Sequence, residues 1–220
     1  MSAHLNGIRG IVGLYGLTPE WDDTERLLAA VELAVRGGMQ ALQLRRKLAS
    51  PQARAAQARA LREACTKHGI SFIVNDDWQL ALQVGADGVH LGRDDGDAQT
   101  VRRLSDEGLQ VGVSCYDQLD RVRQALDAGA SSVGLGAVYA SPTKPGAVRV
   151  PLETVRQARR LCEAARHDGL RPTVTAIGGI TPGNAAPVAA AGADALALIS
   201  GLFDAADIEA AARAVANAMA

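Results

Sequence analysis

The stretch Gln43-Leu44-Arg45-Arg46-Lys47 ends an apolar segment that begins at Met39, and it is the most informative part of the chain. Gln43, Arg45 and Lys47 alternate, so on a β-strand and its extension their side chains point the same way. Arginine and lysine together bind phosphate or pyrophosphate, which predicts an anion site at the end of this strand. The alternative interpretation is a strand that has run out into solvent.

Polar clusters follow four other apolar strands of the sequence in the same way. These clusters are Asn75-Asp76, Asp94-Asp95, Ser141-Pro142-Thr143-Lys144 and Gly178-Gly179. Polar residues placed repeatedly at strand ends are typical of a barrel enzyme, whose active site lies at the carboxyl ends of its strands. The repetition therefore favours the anion site.

Segments with strand character alternate with helix-like segments along the whole chain. The predicted strands cover 11–15, 39–44, 71–74, 88–91, 111–113, 132–135, 173–177 and 195–199. The predicted helices cover 24–36, 51–68, 79–84, 117–128, 152–166, 182–191 and 205–219, with Ser50 and Thr181 as N-caps. This alternation predicts an α/β protein, a single (β/α)8 TIM barrel that forms one catalytic domain over residues 1–220. A doubly wound sheet would need a glycine-rich first turn, whereas the first strand runs into Gly16-Leu17-Thr18-Pro19.

The composition argues against several classes of protein. Hydrophobic residues make up 48% and aromatic residues only 3%, which suits aliphatic helices packed on parallel strands. The formal net charge of −1 argues against broad nucleic-acid binding. The three cysteines are widely spaced and suggest neither a zinc site nor a disulfide framework. Because the sequence shows no signal-peptide pattern and no apolar run near the ~20 residues of a membrane span, we expect a cytoplasmic protein.

Carboxylates follow two neighbouring predicted strands. Asp76 and Asp77 come after the third strand, and Asp95 and Asp97 come after the fourth. Two carboxylates at close range repel unless a cation or a proton lies between them, and oxygen ligands alone suit Mg²⁺. The alternative is that Asp76 or Asp77 caps the following helix and that 94–97 is a solvated loop.

A second anion site is predicted at the ends of the last strands. The glycine pair Gly178-Gly179 exposes backbone N–H groups, and a helix start at Thr181 would add a positive dipole end. The loops after strands seven and eight are the usual phosphate site of this fold. The alternative is that these glycines only make tight turns. The segment 141–151 is predicted to be mobile, and His90 is interpreted as a hydrogen-bonded core residue.

Six motifs are spread along the chain between residues 43 and 180: 43–47, 72–76, 85–92, 134–136, 141–144 and 177–180. In order and spacing they resemble the motif series of the thiamine-phosphate synthase family. The resemblance implies a transferase that joins 4-amino-2-methyl-5-(diphosphooxymethyl)pyrimidine to 4-methyl-5-(2-phosphooxyethyl)thiazole. The implied products are thiamine monophosphate and pyrophosphate, and the pyrimidine is expected to ionise before the new bond forms.

The resemblance also implies roles for individual residues. The implied ligands of the pyrimidine pyrophosphate are Gln43, Arg45, Lys47, Asn75, Ser114 and Lys144. The implied ligands of the thiazole phosphate are Ser141, Thr143, Gly179, Ile199 and Ser200. Asp76 and Asp95 are expected to hold Mg²⁺, and Lys47, Ser114 and Lys144 are expected to act in catalysis. The expected partners are the two small-molecule substrates, with no nucleic acid and no membrane, and association into a homo-oligomer is left open.

Four positions depart from the family pattern, and two alternative functions compete with the main interpretation. Arg46 stands where many relatives have glutamate, and the other departures are Gln79, Tyr116 and Ser141. A thiazole tautomerase-like isomerase would keep the phosphate glycines but would not need the paired cations or the carboxylates. A catalytically silent relative that only binds thiamine precursors would not need them either. The presence of all these groups favours the synthase.

Overall fold

The computed structural model of the chain describes residues 8–140, 148–167 and 169–220. Within these ranges the strands are β1 (Ile8–Arg9), β2 (Gly13–Leu17), β3 (Met39–Leu44), β4 (Ser71–Asn75), β5 (Gly88–Leu91), β6 (Gln110–Tyr116), β7 (Ser132–Gly136), β8 (Arg171–Ile177) and β9 (Ala195–Leu198). The helices are α1 (Thr24–Arg36), α2 (Pro51–His68), α3 (Trp78–Val84), α4 (Ala98–Asp106), α5 (Leu119–Asp127), α6 (Leu152–Ala164), α7 (Ala185–Ala190), α8 (Ser200–Phe203) and α9 (Ile208–Asn217).

Strands β2 to β9 form a closed parallel barrel. Each strand pairs in parallel with the next along the chain, and β2 also pairs with β9, which closes the ring. The short strand β1 adds to the amino-terminal end of β8, where Ile8 pairs with Arg171. Because helices connect the successive strands on the outside, the predicted single (β/α)8 barrel is confirmed.

The period of two along each strand divides the apolar residues into two clusters. One set, including Leu42 and Leu44 on β3, lies between the barrel and the helices in the larger cluster. The other set fills the barrel interior in a smaller cluster of Ile11, Tyr15, Leu17, Ala41, Ile73, Ala195 and Ala197. Inward-pointing positions beyond this cluster carry the polar side chains that the sequence places at the strand ends. The fold therefore directs those side chains to a common centre.

Several details differ from the sequence expectation. The first barrel strand lies at Gly13–Leu17, two residues later than predicted, because its ladder with β9 begins where Gly13 pairs with Ala195. Helix α4 was not predicted; its N-cap Asp97 accepts a hydrogen bond from Thr100 N at 2.8 Å. The predicted last helix, 205–219, is shorter and lies at α9, and the short helix α8 that precedes it was not predicted. A further difference, at Thr181, affects the candidate site and is described with it. Among the helices of the described ranges, none has the length and apolarity that crossing a membrane requires.

Candidate active site

A cavity of about 890 Å³ opens at the carboxyl ends of the barrel strands. Of the site residues predicted from the sequence, those that line this cavity are Gln43, Arg45, Lys47, Asn75, Asp76, Asp95, Ser114, Gly179, Ile199 and Ser200. The predicted residues Ser141, Thr143 and Lys144, and most of the predicted mobile segment, lie outside the described residues. One cavity thus brings together every described member of the predicted set, while their individual roles stay predictions.

The alternating residues after β3 face the cavity as the sequence indicated. Gln43 is buried, and its Nε2 donates a hydrogen bond of 2.7 Å to the hydroxyl of Tyr15. Arg45 and Lys47 line the cavity, and Lys47 Nζ lies 3.1 Å from Asp76 Oδ2. Arg46 points to the other side, where it is buried and pairs with acidic groups. We call Arg45 and Lys47 the cation pair; it is the feature expected to hold a pyrophosphate.

Asp76 and Asp95 come together next to the cation pair. Asp76 has a left-handed backbone with φ of 64°, and its N–H donates to His90 O at 2.8 Å, so the chain turns sharply out of β4. Asp95 Oδ2 accepts a hydrogen bond of 2.9 Å from Gly92 N. Burial, followed by a hydrogen bond and repulsion from Asp76, raises the pKa of the Asp95 carboxyl above its usual range. A carboxylate pair that resists double ionisation is suited to a divalent cation.

The alternative reading of the acidic residues holds for two of their neighbours. Asp77 caps α3 by accepting a hydrogen bond of 2.9 Å from Leu80 N, and it also pairs with Arg54. Asp97 caps α4. No group of three or more metal-ligating His, Cys, Asp or Glu side chains occurs within the described ranges.

His90 lies inside the barrel and positions Ser114, a relation that the sequence reasoning missed. Its Nε2 lies 2.9 Å from Ser114 Oγ, within hydrogen-bond distance. Side chains on the neighbouring strands would collide with the ring, since a Cβ on Gly112 would lie 2.6 Å from His90 Nδ1 and one on Gly134 would lie 3.0 Å from its Cε1. Burial lowers the pKa of His90 to about 4, so the ring is neutral at pH 7. A period-two reading of β5 to β7, with a histidine beside two glycines, could have indicated this inward position.

The glycine turn after β8 lies across the barrel from the carboxylate pair. Gly178 and Gly179 have positive φ angles of 101° and 63°. A Cβ on Gly179 would lie 2.8 Å from the Cβ of Tyr139, so glycine is required for close packing against the segment that follows β7. Gly179, Ile199 and Ser200 all line the cavity. The turn leaves backbone N–H groups near the cavity, as the predicted phosphate site needs.

The expected helix start at Thr181 is wrong. The helix begins at Ala185, and Thr181 N instead donates to the Oδ1 of Asn184 at 2.7 Å. Asn184 also donates through Nδ2 to Gly179 O at 3.0 Å, so its amide closes the turn. Residues 182–184 form a turn ahead of the helix, in which Asn184 N donates to Thr181 O at 3.1 Å. A helix dipole that begins at Thr181 therefore does not contribute to phosphate binding.

Arg93 and Tyr116 are among the cavity residues that were not predicted as site residues. Arg93, after β5, lines the cavity, and its guanidinium lies 5.1 Å from the ring centroid of Tyr116 at the end of β6. Tyr116, one of the departures from the family pattern, has a left-handed backbone with φ of 58°. Cys115 next to it is buried against Val113 O and does not line the cavity.

Comparison with known proteins agrees with this geometry. The family model described as thiamine monophosphate synthase matches residues 14–202. A thiamine-phosphate synthase from Bordetella pertussis is 60% identical over 211 residues, which cover 96% of each chain. Another from Chromobacterium violaceum is 48% identical over 207 residues, which cover 94% of this chain and 96% of the relative. The solved thiamine phosphate pyrophosphorylase from Pyrococcus furiosus is similar with a TM-score of 0.80 at 29% identity, over 96% of both chains. The chain belongs to the thiamine monophosphate synthase family.

Proposed function

We propose that this chain is a transferase that condenses 4-amino-2-methyl-5-(diphosphooxymethyl)pyrimidine with 4-methyl-5-(2-phosphooxyethyl)thiazole. The products are thiamine monophosphate and pyrophosphate. Family membership supports this function. The observation that carries it is one cavity with a cation pair and a carboxylate pair on one side and a glycine turn on the other. Two anionic substrates can therefore be held face to face.

The residues of the cavity suit a dissociative displacement, in which pyrophosphate leaves before the thiazole nitrogen attacks. Negative charge grows on the leaving pyrophosphate as its carbon–oxygen bond breaks, and Arg45 and Lys47 stabilise that charge. The thiazole nitrogen attacks the pyrimidine cation directly, so the reaction needs no protein nucleophile. Burial raises the pKa of Cys115 to about 12 and the thiol faces away from the cavity, so it does not compete with the thiazole.

We further propose Mg²⁺ as the metal that this site uses. Asp76 and Asp95 fit it, because they offer oxygen ligands and because their proximity opposes double ionisation. When bound, the ion would supply positive charge beside the pyrophosphate. Lys47, which lies 3.1 Å from Asp76, balances part of the carboxylate charge and orients its own ammonium toward the same place.

The remaining parts of the proposal concern partners and location. We propose that residues 1–220 act as one catalytic domain in the cytoplasm and that the partners are small phosphorylated substrates. The formal net charge of −1 supports the absence of a nucleic-acid partner. Function without a membrane partner stays a prediction, and association into a homo-oligomer stays open.

The test is pyrophosphate release with both substrates and Mg²⁺, with thiamine monophosphate identified by mass spectrometry. Omission of either substrate should abolish product, and chelation of the metal should stop turnover. Lys47→Ala should lower the single-turnover rate on the order of 100-fold at saturating substrate, because the lost cation acts mainly on the transition state. Asp76→Asn should abolish turnover, since an amide cannot balance the charge of the ion.

A lysine outside the cavity provides the matched control. Lys67, in the last turn of α2, is exposed, so Lys67→Ala should keep the wild-type rate. Isomerisation of a thiazole phosphate without pyrophosphate release would favour the tautomerase alternative. Binding of both precursors without any product would favour the silent relative.

A further inference from the structure

We propose that Glu20 is a positioning residue for the cation pair, an inference that rests on the function proposed above. Glu20 follows β2 and does not line the cavity. Its carboxylate contacts the chain after β3, about 27 residues away, where the cation pair begins. The proposal is that Glu20 acts through Arg45 and Lys47, by holding the backbone at Lys47 and the guanidinium of Arg45 in the orientation that faces the substrate.

The contacts of Glu20 are directed at the backbone of the catalytic segment. Its Oε1 accepts a hydrogen bond of 2.8 Å from Lys47 N, and its Oε2 accepts one of 3.4 Å from Leu48 N. The same Oε1 lies 3.8 Å from the guanidinium of Arg45. These N–H groups follow the end of β3, so the barrel ladder no longer satisfies them. Glu20 is thus the group that fixes the chain direction at Lys47.

Arg46 contacts Glu20 on the side away from the cavity. Its buried guanidinium lies 3.4 Å from Glu20 Oε2 and 2.6 Å from Asp22 Oδ1, and it donates to Gln57 Oε1 at 2.9 Å and to Trp21 O. The segment 20–22 and the segment 45–48 are therefore joined by charge-assisted contacts. This arrangement gives a structural reason for an arginine at position 46: it provides the cation that a glutamate at position 20 needs.

Thr18 also joins the segment after β2 to the segment after β3, at Arg45. Arg45 N donates to Thr18 Oγ1 at 2.8 Å, and Thr18 Oγ1 in turn donates to Arg45 O at 3.2 Å. Thr18 and Glu20 thus hold consecutive peptide groups of the segment after β3. Since Thr18 is fully buried and Glu20 is about 29% exposed, the outer end of the segment, with Lys47, depends on Glu20.

The electrostatics also favour a positioning role. A carboxylate beside a pyrophosphate site would by itself repel the substrate. Here two guanidiniums, those of Arg45 and Arg46, lie within 4 Å of Glu20 and offset its charge. The ammonium of Lys47 pairs with Asp76 and remains on the cavity side. The net effect is a fixed backbone with the positive groups directed at the substrate.

The test uses Glu20→Gln and Glu20→Ala, with Glu209→Gln as the control. Glu209 is exposed to a similar extent, 30%, pairs with Arg36 and Arg213, and does not line the cavity. We expect KM for the pyrimidine pyrophosphate to rise about threefold in Glu20→Gln and about tenfold in Glu20→Ala, because the amide keeps one acceptor for Lys47 N–H. KM for the thiazole phosphate should stay within about twofold, as should both values in Glu209→Gln.

A double substitution then asks whether Glu20 acts through Lys47. Adding Glu20→Gln to Lys47→Ala should raise KM for the pyrimidine pyrophosphate by a smaller factor than Glu20→Gln does alone, because one of the two side chains being positioned is gone; an equal factor in both backgrounds would contradict action through Lys47. Circular dichroism and thermal unfolding check that each variant is folded. If Glu20→Ala does not fold, the comparison of Glu20→Gln with Glu209→Gln still decides.

Two outcomes would overturn the inference while the proposed function stands. One is an active wild-type chain with unchanged KM in the folded Glu20→Gln variant. The other is an equal rise of KM for both substrates, which would show a merely structural role. A wild-type chain that releases no pyrophosphate from the two substrates would overturn the proposed function, and this inference with it.

Discussion

The contact of His90 with Ser114 depends on the small residues that surround the imidazole ring. Glycine at 112 and 134 leaves the space that the imidazole occupies, and the ring contacts Ser114 at 2.9 Å. A neutral imidazole holds the serine hydroxyl in one orientation without adding charge to a cavity already rich in charge. At this scale, the function of the site depends on the space next to a residue as much as on the residue.

The titration of His90 predicts how stability depends on pH. The folded chain keeps the imidazole neutral down to about pH 4, whereas in the unfolded chain it is protonated below its ordinary pKa of 6.5. The unfolded state then binds more protons between these two values, so the free energy of unfolding falls as the pH falls through this window. His90→Gln should reduce the difference in unfolding free energy between pH 7 and pH 4.5 by on the order of 2 kcal/mol, since water in the cavity screens part of the effect.

Urea unfolding at the two pH values measures this difference. His68→Gln, in the last turn of α2, is the control and should keep the wild-type difference between the two pH values. The prediction fails if His90→Gln shows the same pH dependence as the wild-type chain.

At the scale of elements, the turn after β8 and the segment after β7 form one unit. Val138 N donates to Ile177 O and Tyr139 N donates to Gly178 O, both at 3.0 Å, which extends the pairing of the two strands beyond their ends. Gly179 continues this contact with its left-handed backbone. The position of the glycine turn, and of its N–H groups, is therefore set by two elements together.

Gly179→Ala should weaken binding of the thiazole phosphate selectively. The added Cβ would collide with Tyr139 and with the carbonyl of Ala140, so the turn must move and its N–H groups with it. We expect KM for the thiazole phosphate to rise about tenfold or more while KM for the pyrimidine pyrophosphate changes little. Steady-state kinetics with each substrate varied in turn measures both.

Gly183→Ala is the matched control, because a Cβ there meets only Thr181 Oγ1 at 3.9 Å. It should keep both KM values. An equal loss for the two substrates in Gly179→Ala would contradict the separation of the two anion sites.

At the scale of the whole molecule, a buried charge cluster stabilises the region where the barrel closes. Asp194 precedes β9, and its carboxylate pairs with Arg171 on β8 at 2.6 Å and with Arg159 on α6 at 2.6 Å. It also accepts the N–H of Val174, while its carbonyl accepts that of Gly13 on β2. Asp194 thus joins strands β2, β8 and β9 to helix α6, although it lies far from β2 in the sequence.

Asp194→Asn should destabilise the protein without changing its catalysis. The substitution removes the carboxylate charge beside the buried guanidinium of Arg171, which costs about 3 kcal/mol and roughly 6–12 °C in melting temperature. The rate at a temperature below unfolding should be unchanged, because Asp194 does not line the cavity. Glu107→Gln, which removes an exposed pair with Arg103 at 3.9 Å, should leave the melting temperature nearly unchanged. Similar melting temperatures for the two variants would refute this role of Asp194.

The sequence alone was enough to predict the barrel and the set of described residues that line its cavity. Alternating strands and helices predict parallel strands, and parallel strands end at one face, so Lys47, Asp76, Asp95, Ser114 and Gly179 are expected to converge there. This inference needs only the order of the elements. It depends on no distance, which is why errors of two residues at a strand end did not harm it.

The tertiary structure alone decided which groups contact one another within that set. The hydrogen bond from Lys47 N to Glu20, the contact of His90 with Ser114, and the closure at Asp194 all join residues that lie far apart in sequence. Such contacts depend on the register between strands and on the space left by glycines, to within about one ångström. A period along the chain reports which face a residue is on, but the relative position of two strands follows only from the packing of the closed barrel.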